Sequence, residues 1–168
     1  MKRILVIHGP NLGMLGRRQP DLYGTETLYE INKRLRKNNN DNLEIICRQS
    51  DSESEIIKWI HGSVQQSIST LRCDTFDFLV INAAGYTHTS VAIRDSLLSV
   101  DIPFIEVHIT NIYKRESFRH VSMLSDIASG VIIGHGSYGY DLAIMSALNY
   151  FNYQNDDCTN IDDSEDWR

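Results

Sequence analysis

Short apolar runs rich in β-branched residues alternate along this chain with longer amphipathic segments, and this alternation limits the possible folds more than any other feature. The predicted strands are Arg3–Ile7, Leu43–Arg48, Phe76–Ile81, Phe104–Val107 and Gly130–Ile133. Most of these runs are continuously apolar, which is typical of parallel strands that helices cover on both faces. The pattern therefore predicts one α/β domain, in which a doubly wound parallel sheet lies between two layers of helices.

The segments between these runs carry apolar residues at helical spacing. The predicted buried faces comprise Leu28, Ile31 and Leu35; Ile56, Ile57, Ile60 and Val64; Val91, Leu97 and Leu98; and Leu142, Ala143, Met145 and Ala147. Thr27 and Glu30 stand at the two positions of a capping box before the first of these helices. About five strands alternating with about five helices favour a flavodoxin-like, three-layer α/β/α fold with strand order 2-1-3-4-5.

The composition limits the number of domains and the kinds of partner. A chain of 168 residues with a hydrophobic fraction of 42% is sufficient for one domain with a sizeable core, which we place at residues 1–151. Residues 152–168 are acidic and almost without apolar side chains, so we expect a mobile tail there. The net charge of −6 argues against nucleic acid or an anionic membrane as a partner.

Two further features bear on the compartment. No apolar run approaches the roughly 20 residues that span a bilayer, and the chain starts with a strand-like run rather than a signal peptide. The cysteines Cys47, Cys73 and Cys158 are odd in number and widely spaced. They therefore predict neither a disulfide framework nor a metal site, and we expect a cytoplasmic protein.

Unusual polar residues follow four of the predicted strands. They lie at His8–Gly24, Asn82–Ser90, Glu106–Arg119 and Gly134–Gly139. In an open parallel sheet, ligands bind beyond the carboxyl ends of the strands, where the strand order reverses. The amides of Asn11 and Asn82 and the backbone N–H groups after His108 can bind a carboxylate or a developing oxyanion. This convergence predicts a site for a small ligand.

Two pairs of side chains in these loops suit acid–base chemistry. Tyr23 needs a nearby cation to favour its phenolate, and Arg18 on the same loop can supply one. Glu106 and His108 are two residues apart on a strand, so they point to the same face and the carboxylate can orient the imidazole. The sequence therefore offers a candidate base and a candidate acid.

Other functions predict other patterns. The G-x-G-x-x-G match at Gly134–Gly139 follows the last predicted strand, whereas a dinucleotide fingerprint lies in an early βαβ unit, so we do not assign one. A Schiff-base enzyme needs a lysine at the end of a core strand, and no lysine of this chain stands there. A flavodoxin-like FMN-binding module needs a phosphate-binding loop after the first strand, where this chain has Gly9–Leu12. The Schiff-base and the FMN-binding alternatives stay open.

The absence of a clustered Cys, His and carboxylate pattern predicts no metal and no cofactor.

Four linked motifs resemble the signatures of the type II 3-dehydroquinate dehydratase family. They lie at Gly9–Gly24, Asn82–Asp95, Glu106–Asn111 and Arg115–Arg119, and the similarity extends from about Lys2 to about Tyr150. The resemblance implies a lyase that removes water from 3-dehydroquinate to give 3-dehydroshikimate, by anti elimination through an enolate, in the shikimate pathway of aromatic amino-acid biosynthesis. It also implies a cofactor-free homododecamer built from trimers.

The resemblance implies a role for each matched residue. Tyr23 would be the base that removes the C2 proton, and Arg18 would keep Tyr23 ionised and stabilise the transition state. His108 would be the acid that protonates the departing C1 hydroxyl, with support from Glu106, and Asn11 would hold a water on the enolate oxygen. The substrate-binding residues would be Asn82, His88, Asp95, Arg119, Ile109, Thr110 and, more weakly, Arg115. The loop from Arg18 to Tyr23 would act as a lid.

The chain departs from the family pattern at several positions. His8 stands where Asn is common, Gln19 replaces a usual acid, and Ala84 occupies a usual Gly position. Val121 and Met123 replace polar or aromatic residues. None of the implied catalytic positions is lost, so we expect an active enzyme.

Overall fold

The computed structural model describes residues 1–17, 19, 23–63 and 75–155. Within this part of the chain, five strands form one parallel sheet in the order β2-β1-β3-β4-β5. They are β1, Lys2–His8; β2, Leu43–Gln49; β3, Phe78–Asn82; β4, Phe104–His108; and β5, Gly130–Ile133. The predicted fold and strand order are confirmed. The order reverses at β1, since β2 lies on one side of it and β3 on the other.

Four α-helices are present in the described residues: α1, Leu28–Leu35; α2, Glu53–His61; α3, Val91–Val100; and α4, Gly139–Asn155. The predicted capping box is confirmed, because the Thr27 hydroxyl accepts from the Glu30 N–H and the Glu30 carboxylate accepts from the Thr27 N–H. Val64 lies outside the described residues. Helix α4 runs past the domain end predicted at residue 151, and residues 156–168 also lie outside the described part, so the mobile tail stays a prediction.

The sheet buries a separate apolar core on each of its faces. Ile4 and Val6 of β1 lie in the core shared with α1 and α4, whereas Leu5 and Ile7 lie in the core shared with α2 and α3. Successive strand residues point to opposite faces, so a strand covered on both sides is apolar along most of its length. This is the physical reason for the continuous apolar runs in the sequence.

The predicted buried face of α3 is wrong for two of its three residues. Val91 is 56% exposed and Leu98 is 55% exposed. The residues that α3 buries are Ile93, Ser96, Leu97 and Val100. Ser96 takes a core position because its hydroxyl donates to the Ile93 carbonyl at 2.7 Å. Met145, predicted on the buried face of α4, is also exposed.

The loops after β1 and β3 meet closely at the point where the strand order reverses. The Gly9 N–H donates to the Asn82 carbonyl at 2.8 Å. A Cβ on Gly9 would lie 2.6 Å from the Ala83 carbonyl oxygen, so a side chain at this position would push the two loops apart. Glycine therefore brings the loop that carries Asn11 next to the turn at Ala84–His88.

Candidate active site

A cavity of about 160 Å³ lies beyond the carboxyl ends of β1, β3 and β4. Residues from the predicted site line it: Asn11, Tyr23, Asn82, His88, His108, Ile109, Thr110, Arg115 and Arg119. The structure therefore brings together side chains that are as much as 108 positions apart in the chain, from Asn11 to Arg119. This is the place where an open parallel sheet binds a ligand.

His108 and Glu106 form a buried pair at the end of β4. The His108 Nε2 lies 2.6 Å from the Glu106 Oε1, and Glu106 is fully buried. Burial alone would raise the pKa of Glu106, but hydrogen bonds from His108, Ser125 and Ser122 outweigh it, so the pKa lies below its usual value. A charged carboxylate accepts from Nε2–H and leaves Nδ1 as the ring nitrogen that can serve a substrate.

Two serines that the sequence analysis missed hold the Glu106 carboxylate. The Ser122 hydroxyl donates to Oε1 at 2.8 Å, and the Ser125 hydroxyl donates to Oε2 at 2.5 Å. Both lie on the loop before β5, which Arg94 of α3 fixes by donating to the Met123 carbonyl at 2.7 Å. The i, i+3 spacing of the two serines was the available signal, but loop serines are too common for that spacing to be informative.

Arg115 contacts the hydroxyl of Tyr23. Its Nη1 donates to the Tyr23 oxygen at 3.2 Å, and its guanidinium carbon lies 5.9 Å from the centre of the Tyr23 ring. The hydrogen bond with Tyr23 is the main cause that raises the pKa of Arg115. Arg115, expected only as a weaker substrate contact, is therefore a cation in contact with the Tyr23 hydroxyl. Arg18 lies outside the described residues, as does part of the predicted lid, so both roles stay predictions.

His88 lies beside His108 at the cavity wall. Its Nδ1 lies 2.7 Å from the Val121 carbonyl, to which it donates, and its ring stacks on that of His108 with 6.3 Å between centroids. Burial is the main cause that lowers the pKa of His88, and the positive charges of His108 and Arg119 add to it. The lowered pKa favours the neutral ring, in which Nε2 can accept a hydrogen bond at the cavity wall.

One predicted residue and two kinds of site do not contribute to this cavity. Asp95 is exposed on α3 and does not line the cavity of its own chain. No lysine lines the described cavity, which gives the Schiff-base alternative no nucleophile there. Within the described residues, no group of three or more His, Cys, Asp or Glu side chains could hold a metal ion.

Comparisons with known proteins agree with the resemblance found in the sequence. The family model described as dehydroquinase class II matches residues 2–148. The chain is 51% identical over 149 residues to the 3-dehydroquinate dehydratase of Marinobacter nauticus, covering 88% of this chain and 97% of that protein. It is 50% identical to the 3-dehydroquinate dehydratase of Histophilus somni, over 88% of this chain and 93% of the relative. The crystal structure of a type II dehydroquinase from Butyrivibrio crossotus matches with a TM-score of 0.79 and 41% identity, over 88% of this chain and 97% of that one.

Proposed function

This chain belongs to the class II dehydroquinase family, and we infer from that membership and from the geometry of its site that it dehydrates 3-dehydroquinate to 3-dehydroshikimate. One observation supports this reaction. The same cavity is lined by Tyr23, which is hydrogen-bonded to Arg115, and by His108, which is hydrogen-bonded to the buried Glu106 carboxylate. The reaction needs a base for a carbon acid and an acid for a hydroxyl leaving group, and these two pairs meet those needs.

We propose that Tyr23 acts as the base. Its phenolate, favoured by the Arg115 guanidinium, takes the proton from C2, and the electron pair of the C–H bond moves to the ketone oxygen to give an enolate. The Asn11 side chain at the cavity wall supports the enolate oxygen through a water molecule. We also propose that Arg18 helps to keep Tyr23 ionised and stabilises the transition state.

We propose that His108 acts as the acid. The enolate returns its electrons, the C1–O bond breaks, and the departing hydroxyl takes a proton from His108 to leave as water. Glu106 holds the ring by Nε2 and stabilises the charged imidazole before that transfer. The substrate hydroxyls and carboxylate bind to the remaining wall of the cavity, which is lined by Asn82, His88, Ile109, Thr110 and Arg119.

Proton NMR of 3-dehydroquinate incubated in D2O separates the two roles. Tyr23→Phe should lower both dehydration and C2 deuterium exchange, on the order of 10²-fold or more. His108→Ala should lower dehydration comparably while some C2 exchange persists. The matched control is Tyr29→Phe, since Tyr29 is 73% exposed on α1 and should behave as the unaltered protein does. Full exchange in Tyr23→Phe would remove Tyr23 as the base.

Assembly and location extend the proposal. We propose a homododecamer built from trimers, because Asp95 lies away from its own cavity and its expected substrate contact then requires a second copy. In the described part of the chain, no helix combines the length and the apolarity needed to cross a bilayer. We propose a cytoplasmic enzyme that uses no metal or organic cofactor; loss of activity on EDTA dialysis with recovery on adding a divalent ion would contradict this.

A further inference from the structure

A line of four polar side chains runs behind the cavity, from α1 to β3. The Asn32 Oδ1 lies 2.8 Å from His8 Nε2, and His8 Nδ1 lies 3.0 Å from the Tyr140 hydroxyl. The Asn82 Nδ2 donates to the same hydroxyl at 3.0 Å. His8 and Tyr140 are fully buried, and Asn82 is 4% exposed at the cavity wall. The elements α1, β1 and α4 therefore each contribute one side chain to a line of hydrogen bonds that ends at Asn82 of β3, at the cavity wall.

The direction of every hydrogen bond in this line follows from one backbone group. The Ala84 N–H can only donate, and it lies 3.1 Å from the Asn82 Oδ1, so the oxygen of that amide faces Ala84. The Asn82 nitrogen must then face Tyr140, which accepts from it. The Tyr140 hydrogen is left for His8 Nδ1, which must be unprotonated, and His8 carries its hydrogen on Nε2 and donates to Asn32.

The surroundings keep both titrating members of the line uncharged. Burial is the main cause that lowers the pKa of His8 to about 4. Burial likewise raises the pKa of Tyr140 far above its ordinary value. A neutral imidazole has one donor and one acceptor, which is what this line requires of it at neutral pH. The ring nitrogens of His8 and the Tyr140 hydroxyl thus all have partners, and the line carries no net charge.

We propose that Asn32, His8 and Tyr140 form a buried neutral relay that holds the Asn82 amide in the orientation in which it binds the substrate. The inference rests on the proposed function and adds His8 and Tyr140 to it as positioning residues. The Asn82 amide has two hydrogens, and Tyr140 occupies one of them. The other hydrogen is available to a substrate oxygen at the cavity wall, in a direction that the Ala84 and Tyr140 contacts fix.

The first test removes one oxygen. Tyr140→Phe should raise the KM for 3-dehydroquinate about 3- to 10-fold, the size expected of one neutral hydrogen bond, and should change kcat by less than about 2-fold. The matched control is Tyr138→Phe, since Tyr138 is 56% exposed two positions earlier and should show no change. Because Tyr140 acts through Asn82, adding Tyr140→Phe to Asn82→Ala should cost nothing further. Additive effects, or an unchanged KM in Tyr140→Phe, would overturn the relay.

The second test concerns His8. Its ¹⁵N NMR signals should be those of a neutral ring with hydrogen on Nε2, and they should not titrate between pH 8 and pH 5. His8→Asn keeps an acceptor for Tyr140 close to the position of Nδ1, so its KM should stay within about 2-fold of that of the unaltered protein. His8→Leu leaves the Tyr140 hydrogen without an acceptor and should raise the KM as Tyr140→Phe does.

The outcomes separate this inference from the function on which it rests. Hydrogen on Nδ1 of His8, or a charged ring at pH 7, would overturn the relay even if the enzyme is fully active. If His8→Leu fails to fold, the NMR measurement and the Tyr140→Phe kinetics still decide the question. An unaltered protein that leaves 3-dehydroquinate unchanged would instead contradict the proposed function, whatever form the His8 ring takes.

Discussion

His8 is buried and titratable, so it links the stability of the protein to pH. Burial is the main cause that lowers its pKa from 6.5 to about 4; the hydrogen bond to Asn32 opposes this shift, and the charge of Arg36 adds to it. Between these two values the unfolded chain binds a proton that the folded chain does not. The contribution of His8 to the free energy of unfolding is therefore largest above pH 6.5, and about 3 kcal/mol of it is lost as the pH falls from 6.5 to 4.

His8→Asn tests this linkage because it removes the titrating ring and keeps a polar side chain. We expect urea unfolding at pH 7 and pH 5 to show a smaller loss of stability for the variant than for the unaltered protein. The carboxylates are common to both proteins, so their contribution cancels in the comparison. An equal loss in both proteins would mean that His8 is not the group that titrates.

The site residues differ in how visible they are in the sequence. His108 and Glu106 stand out in the sequence because they are reactive residues at the end of an apolar run, and Tyr23 stands out because it shares a loop with Arg18. Ser122 and Ser125 were missed because they act through contacts with Glu106 that are 16 and 19 positions away. A tertiary contact of a common residue leaves no local pattern, so spacing and composition could not indicate it.

Among the local elements, the turn Ala84–His88 places an alanine, rather than a glycine, in a left-handed backbone conformation. Ala84 has φ +52°, in the left-handed region where a Cβ is unfavourable, and the same residue donates its N–H to Asn82. Ala84→Gly should raise the free energy of unfolding by about 0.5–1 kcal/mol. Glycine removes the backbone strain from the folded protein, and the larger conformational entropy of the unfolded chain cancels part of this gain. The hydrogen bond to Asn82 is kept, so the KM should not change.

The neighbouring position provides the matched control. Ala83 has φ −73° and is fully buried, so Ala83→Gly gains no relief and should lower stability by about 1 kcal/mol or more. Chemical denaturation of both variants measures the difference. If Ala84→Gly lowered stability as Ala83→Gly does, the strain at Ala84 would not be a cost to the folded protein.

Strands were easier to predict than helix faces. A strand buried on both sides is apolar at most of its positions, so β1, β3 and β4 are visible directly in the sequence. Helix α3 buries Ser96 and exposes Val91 and Leu98, so a count of apolar residues selected the wrong face. The Ser96 hydroxyl forms its hydrogen bond within its own helix, so this polar residue can be buried. A hydrophobicity scale does not detect such a core position.

At the scale of the whole molecule, strand β5 is an edge that a partner could cover. Among the residues that the structure describes, it forms one edge of the sheet, pairs only with β4, and exposes 37% of Val131. An apolar edge strand leaves its outer N–H and C=O groups free to pair, and proteins normally cover or charge such an edge. The residues of β5 are Gly, Val, Ile and Ile, without charge or proline. Assembly with further copies is the way to cover this edge that fits the proposed oligomer.

Val131→Lys places a charge on that edge and should shift the protein to smaller species in sedimentation velocity, because burying an unpaired lysine in an interface is unfavourable. Val131→Thr is the matched control, since it keeps a β-branched side chain without a charge and should assemble normally. If Asp95 completes the site of a neighbouring copy, the activity per chain of Val131→Lys should fall together with its size, and should recover at protein concentrations that restore assembly. A Val131→Lys protein that sediments as the unaltered one does would place the interface elsewhere. A small species with full activity per chain would show that Asp95 has no part in a shared site.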